Sequence, residues 1–459
     1  TTQRSLRKTT MIAPANCALK NRDSYQETLA WLFGLQRFGI KLGLDTMKCM
    51  LQELGNPQDS FGSIHIAGSN GKGSTAAFIS AICQKAGYRI GLYTSPHLAD
   101  YSERIRIDGE PIPQEAVVRL TKIIRARQRK AAREHTSPRA FPSVMDMTFF
   151  EFTTVMAFLY FKENKVDLAV IEVGMGGRLD ATNIVQPLIA VITSITREHE
   201  QYLGKHLEQI ALEKAGIIKS GTPVLTAVRQ PALVSLYQEI CARLGAPLYR
   251  IGKDIRIKKQ GAGKFHYYGL FAHYPSLVLN MYGDYQFSNA ALAVSAVELL
   301  RKKGYLADET AVRTGLKDMH WPARIELVND KPRVLLDGAH NLGAVRRLRK
   351  ELQLNFTYRR LILVIGIMKD KAIKPMLRLL VSLADTAILT RPRLERSADP
   401  ATMLGYIPCY QKKVEIIEDV KAAVRTAMSS AQSDDLICVT GSLFTAGEAR
   451  EVFFKKVDV

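Results

Sequence analysis

Eight residues, Gly68-Ser69-Asn70-Gly71-Lys72-Gly73-Ser74-Thr75, combine three glycines, a lysine and three hydroxyls in one short run. The apolar Ile64-His65-Ile66-Ala67 precedes it, and the helix-like Ala76 to Ile82 follows. A strand entering a glycine-rich turn and then a helix makes an anion cradle. Backbone N–H groups, the positive helix end and a lysine all converge on phosphate. The glycines let the main chain approach the ligand closely. Only two residues separate Gly68 from Gly71, fewer than in the common G-x-x-x-x-G-K-[ST] form. The run predicts a nucleoside triphosphate site, against the blander reading of a flexible connector.

A second candidate is Glu172, which ends the apolar run Asp167 to Val173 and stands just before glycines. α/β folds place ligands at the carboxyl ends of buried strands, so this carboxylate is read as a ligand-facing group rather than a cap.

The elements that must position these groups alternate between strand and helix patterns, which predicts α/β architecture with mainly parallel sheets. Arg89–Tyr93, Asp167–Val173 and Leu188–Thr193 read as buried strands; Phe150–Phe161 and Gln209–Ile218 read as helices, the latter stopped near Gly221 and Pro223. Residues 251–280 read as a small antiparallel excursion. Around Trp321-Pro322-Ala323-Arg324 the pattern resets. Five strand–helix units follow, starting at Arg333, Leu361, Thr386, Val414 and Leu436. They predict a smaller, Rossmann-like doubly wound domain. A chain of 459 residues exceeds one compact core. The expected division is a tail over 1–24, a nucleotide-binding domain over 25–325 and a second domain over 326–459.

Composition narrows the class. Hydrophobic content of 47% and charged content of 24% are those of a globular protein, and no apolar run has membrane-spanning length. The first twenty or so residues read as a frayed tail rather than a signal peptide. Six scattered cysteines without a C-x-x-C pair read as reduced thiols, which fits a cytoplasmic protein without zinc or disulfides. A net charge of +20 raises nucleic acid as a partner. However, no groove-reading module is present, and polyanionic small molecules are drawn by the same field. No nucleic-acid or membrane partner is expected. The densest basic stretch is Arg119–Arg139, read as a helix with a cationic face.

Several segments, taken together, resemble the folylpolyglutamate synthases. They are Ala67–Thr75, Tyr93–Leu98 (YTSPHL), Glu103–Ile107 (ERIRI), Glu172–Asn183 (EVGMGGRLDATN), Glu213–Lys219 (EKAGIIK), Asp337–Asn341 (DGAHN) and Thr440–Leu443 (TGSL). They run in family order from about residue 25 to 450. Related bacterial enzymes are also dihydrofolate synthases, and both belong to the Mur ligase superfamily. The resemblance implies an ATP- and magnesium-dependent ligase that activates a folate carboxylate as an acyl phosphate and joins it to L-glutamate. It also implies a monomer. A cell-wall Mur ligase and a polynucleotide-stimulated NTPase are the alternatives.

By the same resemblance, Ser69, Asn70, Gly71, Lys72, Gly73 and Ser74 cradle the triphosphate. Asn289, Arg324, Asp337 and His340 complete the ATP site from both domains. Ser95, Glu172 and His199 map to the magnesium ligands. Lys214 matches a lysine that the family carbamylates, giving a carboxylate able to face a second metal; its helical setting alone reads as an exposed lysine. Lys72, Glu172, His199 and Lys214 form the catalytic set. The pterin positions fall on Thr148, Phe149, Phe150, Glu151, Leu179, Asp180 and Ala181, with Gly34–Arg37 in the corresponding early segment. Phe149, Phe150 and Phe152 fit a core stripe equally well. Three departures stand out: Glu198 before His199 where aspartate is usual, Ala323 for glycine in the linker, and Leu342 for proline after DGAHN. The basic 119–139 segment is expected to hold a growing polyglutamate tail.

Overall fold

The computed structural model describes residues 15–39, 41, 43–134, 146–261, 263–407 and 413–454. Its centre is an eight-stranded sheet of β1 (Gly62–Ala67), β2 (Ile90–Tyr93), β3 (Ile105–Ile107), β4 (Glu110–Pro111), β5 (Leu168–Glu172), β6 (Ile189–Ile192), β7 (Val224–Thr226) and β8 (Leu248–Arg250). The spatial order is β4-β3-β2-β5-β1-β6-β7-β8, parallel from β2 to β8. The strand order reverses around β1, so a crevice opens at its carboxyl end. Register delivers the site: Ile66 pairs with Glu172 and Ala67 with Ile192.

Continuous apolar strands demand cover on both faces. Ile64 and Ile66 pack against Phe78 and Ile79 of the Lys72–Lys85 helix and against the Tyr285–Leu300 helix. On the other face, Ala169 and Ile171 pack with Phe152 and Val155 of the Phe149–Glu163 helix. The expected excursion is a three-stranded antiparallel sheet, β9 (Arg256–Gly261), β10 (Lys264–Tyr268) and β11 (His273–Val278).

A second sheet contains β12 (Glu326–Asp330), β13 (Arg333–Leu336), β14 (Leu361–Ile365), β15 (Thr386–Arg391), β16 (Lys413–Asp419) and β17 (Leu436–Thr440), ordered β12-β13-β17-β14-β15-β16. Two apolar clusters cover its two faces, giving a doubly wound layer.

Three expectations need correction. Residues 15–24 are helical rather than a frayed tail: a helix spans Ala15–Gly34, anchored by buried Tyr25 and Leu32. The second sheet gains β12, a mixed polar strand paired antiparallel to β13 and invisible to an apolar-run search. The helix expected over Gln209–Ile218 spans Leu207–Ala215 and ends at Gly216. A Cβ at Gly216 would lie 2.3 Å from Arg178 Cα, so the chain closes onto the 177–180 loop there instead of running on.

Candidate active site

The cradle is built by its glycines and held from behind. Gly68 has φ +143°, and a Cβ on it would lie 1.9 Å from Thr193 Oγ1. Gly71, at φ +93°, caps the Lys72–Lys85 helix, and a Cβ there would lie 2.5 Å from Asn289 Oδ1. The segment after β6 ties the loop down. Thr193 Oγ1 and Ser194 Oγ donate to Asn70 O at 2.8 and 2.9 Å, and Ser69 Oγ donates to Thr196 O at 3.0 Å. With no ligand side chain among them, these hydroxyls carry no motif signal of their own. Asn289 stands behind the cradle, its amide donating to Gln286 Oε1 at 2.8 Å, and does not line the cavity.

Lys72 Nζ donates to Gly68 O at 3.0 Å and lies 4.0 Å from Glu172 Oε1. Glu172 Oε2 accepts from Ser95 N at 3.1 Å. Burial raises the Glu172 carboxyl above its usual range, and the Lys72 charge is the chief opposing influence. Among the described residues no group of three or more His, Cys, Asp and Glu side chains is arranged to hold a metal. Ser95 and Glu172 nevertheless supply hard oxygens beside a phosphate cradle. That set fits a magnesium-type ion, which completes its shell with phosphate oxygens and water. His199 faces the same cavity, and burial, with Lys371 second, lowers its imidazole to about 4, so it is neutral.

Lys214 overturns its exposed-helix reading. Its side chain is 2% exposed, and Nζ donates to Glu198 Oε1 at 2.7 Å. Burial pushes the ammonium below its usual range against the pull of Glu198. Burial works against Glu198 too, but Lys214 and Lys72 outweigh it and keep the carboxylate ionised. Glu198, noted in the sequence only as a departure, is thus the partner of the buried lysine.

The carboxyl edge of the second sheet faces this edge. Asp337, after β13, accepts from Ile325 N at 3.1 Å and Ala339 N at 2.9 Å. Burial pushes its carboxyl up to about 6 despite Arg324. His340 Nδ1 donates to Gly338 O at 2.8 Å, and burial lowers the ring to about 4. Across the gap Asn341 Nδ2 donates to Asn70 Oδ1 at 3.0 Å, joining the two halves at the cradle.

The remaining wall is aromatic and acidic. Thr148 and Glu151 form a capping box, with Thr148 N donating to Glu151 Oε2 at 2.8 Å, so one oxygen of Glu151 serves its own helix. Phe149 stacks on Phe33 at 5.6 Å and lies under the Arg104 guanidinium at 5.0 Å. The alternatives for the three phenylalanines separate: Phe149 and Phe150 line the cavity, and Phe152 is core, edge-on to Trp31 at 5.1 Å. Leu179, Asp180 and Ala181 line it as well, and from the early segment Gln36 does so.

These groups share one cavity of about 550 Å³. It also takes in Lys41, Arg104, Arg347, Lys371 and Arg396, none nominated from sequence. For Lys371 and Arg396 a signal existed, since both follow carboxyl ends of parallel strands, β14 and β15. The described part of the basic stretch, within the Gln114–Glu134 helix, does not line the cavity. Arg125 lies 4.4 Å over the Trp31 ring, and Arg119 makes a bidentate pair with Glu163 at 2.9 and 2.6 Å. Arg139 lies outside the described residues.

Residues 121–297 match the Mur ligase middle domain, and residues 323–443 match the Mur ligase glutamate ligase domain. The chain is 35% identical over 435 residues to the dihydrofolate synthase/folylpolyglutamate synthase of Bacillus subtilis, covering 93% of this chain and 99% of that protein. It superimposes on the Mycobacterium tuberculosis folylpolyglutamate synthase complexed with ADP at a TM-score of 0.87 and 31% identity, covering 95% and 99% of the two chains. For the Yersinia pestis bifunctional folylpolyglutamate synthase/dihydrofolate synthase complexed with AMPPNP and a Mn ion, the TM-score is 0.78 at 31% identity, over 92% and 96%. Matching sequence and fold over nearly the whole chain leave one assignment: it belongs to the dihydrofolate synthase/folylpolyglutamate synthase family of Mur-type ligases.

Proposed function

We propose that this enzyme uses ATP to add L-glutamate to reduced folates, and also to dihydropteroate, through an acyl phosphate. The observation that carries the reading is a single cavity uniting a triphosphate cradle, an aromatic and acidic wall, and the carboxyl edges of both sheets. The cradle and Lys72 hold the triphosphate, with Arg324 reaching it from the linker; a planar guanidinium suits phosphate oxygens. The pterin ring lies against Phe149 and Phe150 with Asp180 as acceptor. The carboxylate at the substrate's far end then attacks the γ-phosphorus and ADP leaves. The glutamate amine next attacks the acyl carbon and phosphate departs. A divalent ion held by Ser95, Glu172 and His199 would neutralise charge on the phosphates. Asp337 and His340 close the cavity from the other side and help keep water from the acyl phosphate.

The same reading divides the chain near residue 325 into a nucleotide-binding domain over 25–325 and a second domain over 326–459. It also takes the enzyme as a monomer, because one chain completes the cavity. No helix among the described residues is long and apolar enough to cross a membrane. The need for ATP and the buried free thiols fit a cytoplasmic enzyme.

Lys214 is proposed to take up carbon dioxide. Its burial and lowered pKa support this, since the reaction needs the neutral amine. A ¹³C-bicarbonate carbamate signal that disappears in Lys214→Ala would support it; no such signal in the unsubstituted enzyme would end it.

The deciding experiment is phosphate release with ATP, magnesium and L-glutamate, offering dihydropteroate and tetrahydrofolate separately, with mass spectrometry of the products. One added glutamyl unit on both is expected. Addition to tetrahydrofolate alone limits the enzyme to tail extension, and silence with both overturns the assignment.

A further inference from the structure

His65 lies in the middle of β1, completely buried, on the sheet face opposite the Lys72–Lys85 helix. Its Nε2 is 2.8 Å from Thr182 Oγ1, and Thr182 Oγ1 donates to Asp180 Oδ1 at 2.5 Å. Burial raises the Asp180 carboxyl and the hydrogen bonds from Thr182 and Met175 oppose it; ionised, it only accepts, so the single hydroxyl proton is committed to it. Thr182 must therefore meet His65 as an acceptor, which places the imidazole proton on Nε2. His65 Nδ1 has no partner among the described residues, as this tautomer requires, because a buried bare lone pair is tolerated better than a buried unpaired N–H. Burial, with the charge of Lys219 second, lowers the imidazole to about 3 and keeps it neutral.

The donors thus run one way, from β1 through Thr182 into the cavity wall. Asp180 Oδ1 also accepts from Thr182 N at 3.0 Å, and Oδ2 accepts from Met175 N at 2.8 Å. The carboxylate is held at both oxygens. We propose that His65 and Thr182 are positioning residues that fix the Asp180 carboxylate for a ligand whose ring N–H groups donate to it. This rests on the reading of Asp180 as a pterin contact.

The test compares Thr182→Val with Thr182→Ser, and His65→Met with His65→Gln, which keeps a donor at the ε position. Steady-state KM for dihydropteroate and for ATP is measured in each. The expected result is a rise of about tenfold in the pterin KM for Thr182→Val, the scale of one hydrogen bond to a charged group, and a smaller rise of about threefold for His65→Met, the scale of a neutral one. The ATP KM should be unchanged, and both conservative variants should stay near the starting enzyme. The double variant should be no worse than Thr182→Val alone, because both break one chain. Turnover with an unchanged pterin KM in Thr182→Val overturns the proposal alone, as does an equal rise in both KM values. If His65→Met does not fold, the Thr182 pair decides. Absence of pterin turnover in the unsubstituted enzyme overturns the functional reading and this proposal with it.

Discussion

Glu198 and Lys214 show how one exchange is resolved at the level of single residues. The longer glutamate side chain ends 2.7 Å from a lysine that is almost fully buried. Removing one partner of such a pair leaves an uncompensated charge in the interior. With Lys214 unmodified, in buffer stripped of carbon dioxide, Glu198→Gln should therefore lower stability by about 3 kcal/mol, and pairing it with Lys214→Met should recover part of the loss. Urea denaturation at pH 7 checks both, and a neutral Glu198→Gln would show that Lys214 already loses its proton on folding. Asp337 makes a prediction in pH. Its folded carboxyl at about 6 stands above the usual 3.8 because it is buried. The folded protein thus binds this proton more tightly, so the stabilisation from this group is present at low pH and lost as pH rises through about 6. We propose that the ionised carboxylate holds Arg324 toward the phosphates, so activity should move the other way and fall with a one-proton slope below about pH 6. A pH profile of kcat/KM that stays flat down to pH 5 would remove Asp337 from that role.

Among the elements, the β10–β11 hairpin owes its place to one buried carboxylate. Glu298, on the Tyr285–Leu300 helix, accepts from the N–H groups of Leu270, Phe271 and Ala272 and from the Tyr267 hydroxyl. Glu298→Ala would strand these donors and should cost about 2–3 kcal/mol. Amide exchange at 270–272 should quicken, while the KM for ATP stays unchanged because the hairpin does not line the cavity. Slow exchange persisting there would mean that the strands hold the turn unaided. The Gln114–Glu134 helix teaches the reverse lesson. Of the basic residues expected there to hold a polyglutamate tail, Arg119 and Arg125 already have partners in Glu163 and Trp31 on neighbouring elements. Charge counted along a sequence says nothing about where each side chain finds its partner.

At the scale of the molecule, the cavity exists only because two sheets present their carboxyl edges to each other. Asn70 and Asn341 meet across the gap, and Glu351 accepts from Asp284 N at 2.7 Å on the flank. Trp321, in the linker, sits beside the cradle: a Cβ on Gly73 would come within 3.2 Å of its Nε1, and Arg106 lies over its ring at 5.6 Å. The chain has two tryptophans, so a Trp31→Phe variant reports Trp321 alone. Its fluorescence should shift when ATP binds and shift again when dihydropteroate joins it, as closure repacks the linker. An unchanged spectrum with both bound would mean that the linker does not move.

The local parts of the site were legible in the sequence because their physics is contiguous. A strand, three glycines, a lysine and a helix make the cradle without help from distant residues, and the buried runs announced the parallel sheet and with it the carboxyl edge where Glu172 stands. The order of the family segments supplied the rest of the wall. What needed the tertiary structure was everything set by packing between distant elements. Burial converted Lys214 from a surface-type helix lysine into a partner of Glu198. Register placed Glu172 beside the cradle, and the packing of the Tyr285–Leu300 helix left Asn289 behind it. The His65–Thr182–Asp180 chain joins residues 117 apart, then two apart, and only the pairing of β1 with its neighbours brings them together. Lys371 and Arg396 likewise enter the cavity through the edge on which β14 and β15 end. Local chemistry is written in adjacent residues, whereas desolvation and partner choice depend on which surfaces the fold brings into contact.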